Sequence, residues 1–421
     1  MKKTLLLSVV ASTMIMAGGD IAPVEPVVEA PAAAAAWEFS GNAVVYYQTD
    51  DAVQVSGLGA TGGDLFDQDT SAADAGIQLR AANKDVVAGI GAGFAVNGLS
   101  TLNLENTIVS NTPQGTGNGD IDDMTDGGWI AEAYLTYEFG NTGIKAGRQT
   151  LPQSLSPFAY SENWNVFANT FDAVTVVNTD ISNTTIVGGW IAGANTNAWG
   201  ATNNITDFNS LNDEDGVWMI TAQNKSIENL TLTGTYYFGS DMAVTATGTD
   251  DLSILWGDAA YDAGSFGVAI QGGQVDAGSF AAQADDMTAF GAKLTGTVSG
   301  INLMGAYSTV SDGAMGQIGG STSALYTNTV IDQLVGREMD EDKFVVGANM
   351  DALGGNIAAA YANVSADKPV TNLSADSDEI DVVYATNLTD SLGLTAAYVY
   401  YDADDMVDSV NLVRIIANYN F

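Results

Sequence analysis

The sequence predicts an all-β fold, a transmembrane antiparallel β-barrel of about eighteen strands with short periplasmic turns and long extracellular loops. Three observations predict it. The chain beyond residue 37 parses by period-two alternation into segments of roughly the 9 to 11 residues that a tilted membrane strand requires. The connections between these segments alternate strictly between short and long. The final stretch, "NLVRIIANYNF", is a strand with Val413, Ile415, Ala417, Tyr419 and Phe421 on its dry side and Arg414, Asn418 and Asn420 on its wet side.

The first element is a leader. Lys2 and Lys3 precede an apolar run and the small residues Ala17 and Gly18, the pattern of a secretory signal peptide over residues 1–17. With no cysteine in the chain, lipoprotein processing is excluded. Residues 18–36, rich in proline and alanine, read as a periplasmic tail without strand or helix periodicity.

The barrel is expected over residues 37–421. Its composition is acidic and apolar together: 12 Lys+Arg face 51 Asp+Glu, and 46% of residues are hydrophobic. Losing Lys2 and Lys3 with the leader leaves 10 basic residues against 51 acidic ones, a net charge of −41. That balance argues against nucleic acid as a partner, because a phosphate backbone demands a basic face. No window approaches a membrane-spanning helix of about 20 apolar residues. Zero His and zero Cys exclude Ser/His and Cys/His catalysis and imidazole or thiolate metal sites, so no enzyme is expected.

Two strands show the alternation. In "WIAEAYLTYEF", Trp129, Ala131, Ala133, Leu135, Tyr137 and Phe139 are read on one face, with Glu132, Tyr134, Thr136 and Glu138 on the other. In "NLTLTGTYYF", Leu230, Leu232, Tyr236 and Phe238 oppose Thr231, Thr233 and Thr235. Acids and hydroxyls on the polar face suit a wet lumen. Short turns are read near residues 83–85, 140–142, 226–228, 299–300, 353–355 and 389–391. Gly- and Asp-rich segments such as 50–73, 99–127, 151–170, 195–215 and 311–341 are read as outer loops. All 7 prolines fall in the tail or these loops, where no ladder donor is lost. A soluble β-sandwich or solenoid would also alternate, but it does not predict the long and short rhythm. The last strand is therefore expected to close against "WEFSGNAVVYYQT", with Tyr419 and Phe421 at the periplasmic rim as an assembly signal.

Within loop 151–170 and its flanks, "GRQ" at Gly147, Arg148 and Gln149 is followed by "NTFDA" from Asn169 to Ala173. Together with the "MAGGDIAPVEP" start, these resemble the Campylobacter-type major outer-membrane porins, relatives of the OprD-like channels. The resemblance covers nearly the whole chain and implies an inward-folded third loop, a homotrimer and residence in the bacterial outer membrane. Partners would be outer-membrane lipid, lipopolysaccharide and the barrel assembly machinery, whose signal a terminal Phe resembles. The residues themselves agree that loop 151–170 is unusual, with two prolines, Trp164, Phe167 and few acids. A pore constriction is expected at Arg148, Glu162, Trp164, Phe167 and Asp172. Arg148 either narrows the pore or pairs with a carboxylate to hold the loop down, and the two readings are compatible.

Alternation also points Arg80, Glu132, Glu138, Lys343, Asp381 and Arg414 to the lumen. The bases are either a rail for solutes or, the plainer reading, neutralisers of lumen acids. Acidic clusters at Asp120, Asp122, Asp123 and Asp126, at Asp340, Glu341 and Asp342, and at Asp402, Asp404 and Asp405 form a cation-rich vestibule or a loop calcium site. None has EF-hand spacing, and no cofactor is expected. Function then follows as a diffusion channel for small hydrophilic solutes and ions, cation-preferring. The alternative is a surface structural protein or adhesin.

Overall fold

The computed structural model describes residues 37–51, 63–116, 126–197, 200–245, 248–276, 287–311, 317–331, 339–368, 376–404 and 408–421. The leader, the tail and the acidic residues Asp120, Asp122, Asp123 and Asp405 lie outside the described residues. Eighteen long strands form the wall of a closed antiparallel barrel. In chain order they are β1 Glu38–Asp50, β2 Ser71–Val87, β3 Ile90–Ser100, β4 Asp126–Phe139, β5 Thr142–Gln149, β6 Phe171–Asn178, β7 Thr184–Ala194, β8 Val217–Ile227 and β9 Leu230–Thr245. The second half comprises β10 Gly248–Asp262, β11 Phe266–Asp276, β12 Met287–Val298, β13 Ile301–Ser311, β14 Met339–Ala352, β15 Gly355–Lys368, β16 Ser377–Asn387, β17 Leu392–Ala403 and β18 Val410–Asn420. Short two- to five-residue strands occur inside the loops, and Asn209–Ser210 extends the wall beside β7.

Each strand pairs with its sequence neighbour, and β18 pairs antiparallel with β1, Ala417 opposite Val45. Two further backbone bonds, Gly41 N–H to Phe421 O at 2.8 Å and Phe421 N–H to Gly41 O at 3.0 Å, carry the seam to the last residue. A closed sheet leaves no unpaired edge, which is the condition for spanning lipid with strands. No helix among the described residues is long and apolar enough to cross a membrane.

The alternation produces two chemically different surfaces. Val45, Leu135, Leu255, Leu294 and Val346 are exposed on the outer face. Their neighbours Val44, Trp256, Val345 and Lys343 are buried inside. An apolar outside and a mixed inside reverse the order of a water-soluble barrel, so the solvent of the outer face is hydrocarbon.

The turns read at 299–300 and 353–355 stand where the sequence placed them, but the one read at 83–85 lies further along. β2 continues to Val87, and the connection is Ala88–Gly89, with φ of 54° and 81°. Ser299–Gly300 and Leu353–Gly354 repeat the same pair of positive angles. Positive φ at both central residues is the hairpin turn whose twist matches that of the flanking strands. The expectation at 83–85 missed this because Asn83 and Asp85 look like turn formers, whereas Asn83 instead caps the irregularity in β2 by accepting from the Asp85 N–H at 2.9 Å.

One strand departs from strict alternation. Ala131 is an extra residue opposite the Ala95–Val96 step of β3, since Ala95 faces Glu132 and Val96 faces Ile130. A bulge of one residue reverses every face beyond it. Trp129 therefore points inward and is only 8% exposed, contrary to the face read from the sequence, while Ala133, Leu135, Tyr137 and Phe139 keep the outer face.

Candidate functional site

Among the described residues two loops reach across the lumen, where the sequence suggested one. Loop 151–170 leaves β5 and returns as β6. Its Phe158, wholly buried, meets Trp256 of β10 edge to face at 5.2 Å and Tyr237 of β9 at 6.0 Å. Further along, Phe167 packs edge-on against Trp129 at 5.7 Å, and Val166 joins Val44, Tyr46 and Ala95 in the same cluster. Gly76 of β2 is needed here: a Cβ on it would stand 2.6 Å from the Phe167 ring. The loop is thus pinned to opposite walls by aromatic side chains, each worth roughly 3 to 5 kcal/mol if truncated to alanine.

The second inward segment is 317–331, between β13 and β14. Ile318, Ala324 and Leu325 pack with Phe158 and Trp256. At one side Tyr326 donates to Asp258 of β10 and lies under the Lys293 ammonium at 4.4 Å. At the other, Thr329 Oγ1 donates to Glu379 at 2.7 Å and accepts from the Lys343 ammonium at 3.1 Å. Ile331 N–H bonds Glu379 at 2.7 Å, and Val330 N–H bonds Asp381 at 3.2 Å. The segment spans the lumen from β10 to β16.

The two loops meet. Ile318 N–H donates to Phe158 O at 2.8 Å, Tyr160 N–H to Ser321 Oγ at 2.8 Å, and Ser321 Oγ back to Tyr160 O at 2.8 Å. Thr322 Oγ1 donates to Glu162 Oε2 at 2.9 Å. Burial raises the Glu162 carboxyl pKa, because the charged form has lost water. Burial also lifts the Tyr160 hydroxyl well above its ordinary value, with the neighbouring Glu162 charge adding to it. Asn169 Nδ2 donates to Tyr160 O at 3.1 Å, and Glu162 N–H donates to Asn169 Oδ1 at 2.7 Å, so the ends of loop 151–170 are tied together.

The lumen-directed charges are mostly paired. Arg80 of β2 meets Glu132 of β4 at 2.5 Å, the arginine side chain 41% exposed and the carboxylate 6%. Lys145 of β5 sits 3.8 Å over the Tyr134 ring. Arg414 is buried, donating to Gln48 at 3.0 Å and stacking near Tyr46. Lys343 and Asp381 are buried beneath the second loop, as described above. Glu138 is exposed on the inner face near the periplasmic end of β4.

Arg148 and Asp172 take a different position from the expected constriction. Gly147 and Gln149 occupy the inner positions of β5, and Phe171 and Ala173 those of β6. Arg148 therefore lies on the outer face, opposite Ala133 and Asp172. It makes a bidentate pair with Asp172 at 2.8 and 2.9 Å and donates to Ile130 O at 3.0 Å. The Phe208 ring covers its guanidinium at 3.1 Å. The holding role considered for Arg148 survives in altered form, since it clamps the two strands that bracket the loop. Of the five expected constriction residues, Glu162 and Phe167 are inside the barrel with the loop, Trp164 is half-buried in it, and Arg148 and Asp172 are not.

Sequence reasoning missed the second loop altogether. A signal was present: "TSALYTNTVI" carries no charged residue inside an otherwise acidic chain. Among the described residues no group of three or more Asp and Glu is placed to hold a metal ion.

No protein-family model matches the chain, and neither does any curated protein sequence. Solved structures do. OccK8 (OprE) of Pseudomonas aeruginosa has a TM-score of 0.70 at 15% identity, covering 91% of this chain and 98% of its own. OpdK of Pseudomonas aeruginosa, an outer membrane protein solved with vanillate, has a TM-score of 0.70 at 13% identity, with coverage of 91% and 98%. OccAB2 of Acinetobacter baumannii has a TM-score of 0.70 at 14% identity, again with coverage of 91% and 98%. The shared feature is the fold, that of bacterial outer-membrane porins of the OprD/Occ kind. The OprD-like part of the resemblance is thereby supported, and its Campylobacter-type part is not.

Proposed function

We propose that this chain is an outer-membrane porin that passes small hydrophilic solutes and ions, with a preference for cations. The observation that carries the reading is the meeting of loops 151–170 and 317–331 inside a barrel whose outer face is apolar. An adhesin has no need to fill its own lumen; a channel must narrow its lumen to discriminate. Half-exposed Arg80, Tyr134 and Lys145 and exposed Glu138, all on the inner wall, then border the route past the loops.

The placement of the charges supports a preference for cations. The basic residues Arg80, Lys145, Lys293, Lys343 and Arg414 all face inward, and each is set against a carboxylate, an aromatic face, a hydroxyl or an amide. The chain carries 51 Asp+Glu against 12 Lys+Arg, and such an excess of carboxylate concentrates cations. OpdK has been solved with vanillate and OccK2 with glucuronate, both carboxylates. A carboxylate route here would have to rest on Arg80 and Lys145. Partners in this reading are outer-membrane lipid, lipopolysaccharide, the barrel assembly machinery and further copies of the chain in a trimer. Conductance of the purified protein in a planar bilayer tests the reading. Ohmic channels with a cation-selective reversal potential support it, and absence of conductance from folded protein overturns it.

A further inference from the structure

Loop 101–116, which leaves β3, runs back along the start of β2. The Ser110 N–H donates to Ser71 O at 3.1 Å, and the Ala73 N–H donates to Asn111 O at 3.3 Å. Just beyond, the buried Asp74 carboxylate of β2 accepts from the Thr112 hydroxyl at 2.7 Å and from the Gln114 N–H at 3.0 Å. A carboxylate that takes several donors in a closed interior has little freedom left, because each bond lost there strands a desolvated oxygen. The stretch from Ser110 to Gln114 is therefore fixed to the wall.

From that fixed stretch one side chain reaches the inward loop. Gln114 is wholly buried. Its Oε1 accepts from the Phe167 N–H at 3.1 Å, and its Nε2 donates to Phe167 O at 2.9 Å and to Asn197 Oδ1 at 2.7 Å. A side-chain amide carries an acceptor and two donors in one plane, so it closes on both polar groups of a single residue as a neighbouring strand would. Beside it Asn165 Nδ2 donates to Pro113 O at 3.0 Å, and Asn197 Nδ2 passes the connection on to Glu162 O at 2.8 Å. The returning limb of loop 151–170 is thus bonded to a segment that hangs on β2. Toward the wall, Val166 and Phe167 make apolar contacts with Tyr46 and Trp129. Apolar contact is non-directional, so it fixes the limb's distance from the wall and leaves its height to the hydrogen bonds.

We propose that Gln114 is a positioning residue for the channel: its amide sets the height of residues 165–167 in the lumen, and loop 101–116 is the strap through which β2 carries that part of the constriction. The inference rests on the porin reading and deepens it. Loop 317–331 ties loop 151–170 at Tyr160 and Glu162, and the strap ties it further along at Asn165 and Phe167, so the inward loop is held at two points. The amide at 114 is required in kind as well as in size. Methionine there has a similar shape but leaves the N–H and C=O of Phe167 buried without that partner, a state that the limb relieves by leaving its seat. Glutamate offers acceptors only, and these would face Phe167 O and Asn197 Oδ1, which are acceptors too.

Planar-bilayer recordings of the purified full chain test this, comparing the unaltered protein with Gln114→Met, Gln114→Glu and Gln68→Met, each first shown to give the compact form on unheated gels. Gln68 is the control, because it donates to Glu105 O at 3.1 Å and Val109 O at 3.2 Å in the far part of the same strap. Both Gln114 variants should show a higher mean conductance and a noisier open state, and Gln68→Met should match the unaltered protein. An unchanged trace from both Gln114 variants overturns the proposal. So does an equal rise from Gln68→Met, since a general loosening of the outer loop would then suffice. Should neither Gln114 variant fold, Asn165→Ala, which removes the bond to Pro113, decides: a smaller rise is expected, and an unchanged trace overturns the proposal. Folded but silent unaltered protein removes the porin reading and this one with it, whereas a conducting protein with unchanged variants removes this one alone.

Discussion

The hydroxyls of Tyr160 and Thr322 stand 2.7 Å apart in the interior of the barrel, although 162 residues separate them in the chain. This contact joins the two inward loops, and neither is held at that height by its own strands alone.

Loosening the contact should widen the channel. Thr322→Val removes the bonds to Tyr160 and Glu162 while keeping the volume, and a net hydrogen bond contributes about 0.5 to 1.5 kcal/mol. Single-channel recordings should show higher mean conductance with more flicker, and gel mobility should remain that of the folded barrel. An unchanged trace would mean that the loops are held by their apolar contacts alone.

Truncating the aromatic anchor should act more strongly. Phe158→Ala empties the space against Trp256 and Tyr237 and should cost roughly 3 to 5 kcal/mol of loop docking. Conductance should rise further than in Thr322→Val. Loss of the folded form on unheated gels would show instead that the loop is part of the barrel's core stability.

Acidity should favour the docked loops. Burial raises the Glu162 pKa, so the docked state binds its proton more tightly than the undocked state. The resulting stability is fully present below the ordinary carboxylate value and is lost as pH rises through the raised one. Conductance should therefore fall on acidification across that window. Glu162→Gln should flatten the dependence near its low-pH level, and a variant that keeps the full pH response would rule Glu162 out as its source.

Selectivity should depend on salt. The Debye length is about 8 Å at physiological ionic strength and about 3 Å at 1 M, so charges at the entrance act on passing ions only in dilute solution. Reversal potentials under a KCl gradient should show cation preference at low mean concentration and little at high. Glu138→Gln, on an exposed inner position, should reduce the preference. Anion preference at low salt would mean that Arg80 and Lys145 dominate the narrow zone.

Deleting Phe421 should impair assembly. Its ring stacks on Tyr419 at 6.0 Å and its backbone completes the seam with Gly41. Heat-modifiable mobility of the truncated chain in outer-membrane fractions measures this, and a normal level of the compact form would show that the residue is dispensable.

The barrel was legible because period-two alternation is the direct imprint of lipid on one side and water on the other. Val413, Ile415, Ala417 and Tyr419 share a face in sequence and in structure. The faces of Trp129 and Arg148 were not legible. For Trp129, one bulged residue at Ala131 shifts the count, and nothing in "GGWIAEA" marks a bulge. Arg148 was expected at the constriction from its place at the entrance of loop 151–170, although the alternation puts Gly147 and Gln149 inside. The second loop was hidden by its length: a long segment reads as an outer loop unless its uncharged "TSALYTNTVI" core is weighed against its acidic surroundings.

The seam between β1 and β18 has a consequence for the order of folding. Every other pairing in the wall joins neighbours in sequence and can form as a local hairpin, but Asn42 cannot meet Asn420 until nearly the whole chain is at hand. Until then the nascent sheet carries two bare edges, each a template for joining another chain. Closure is thus a late, long-range step, slow for the reason that all distant pairings are slow. The chain must be kept from self-association through that interval, and the half-built barrel is the state in which it is most exposed to error.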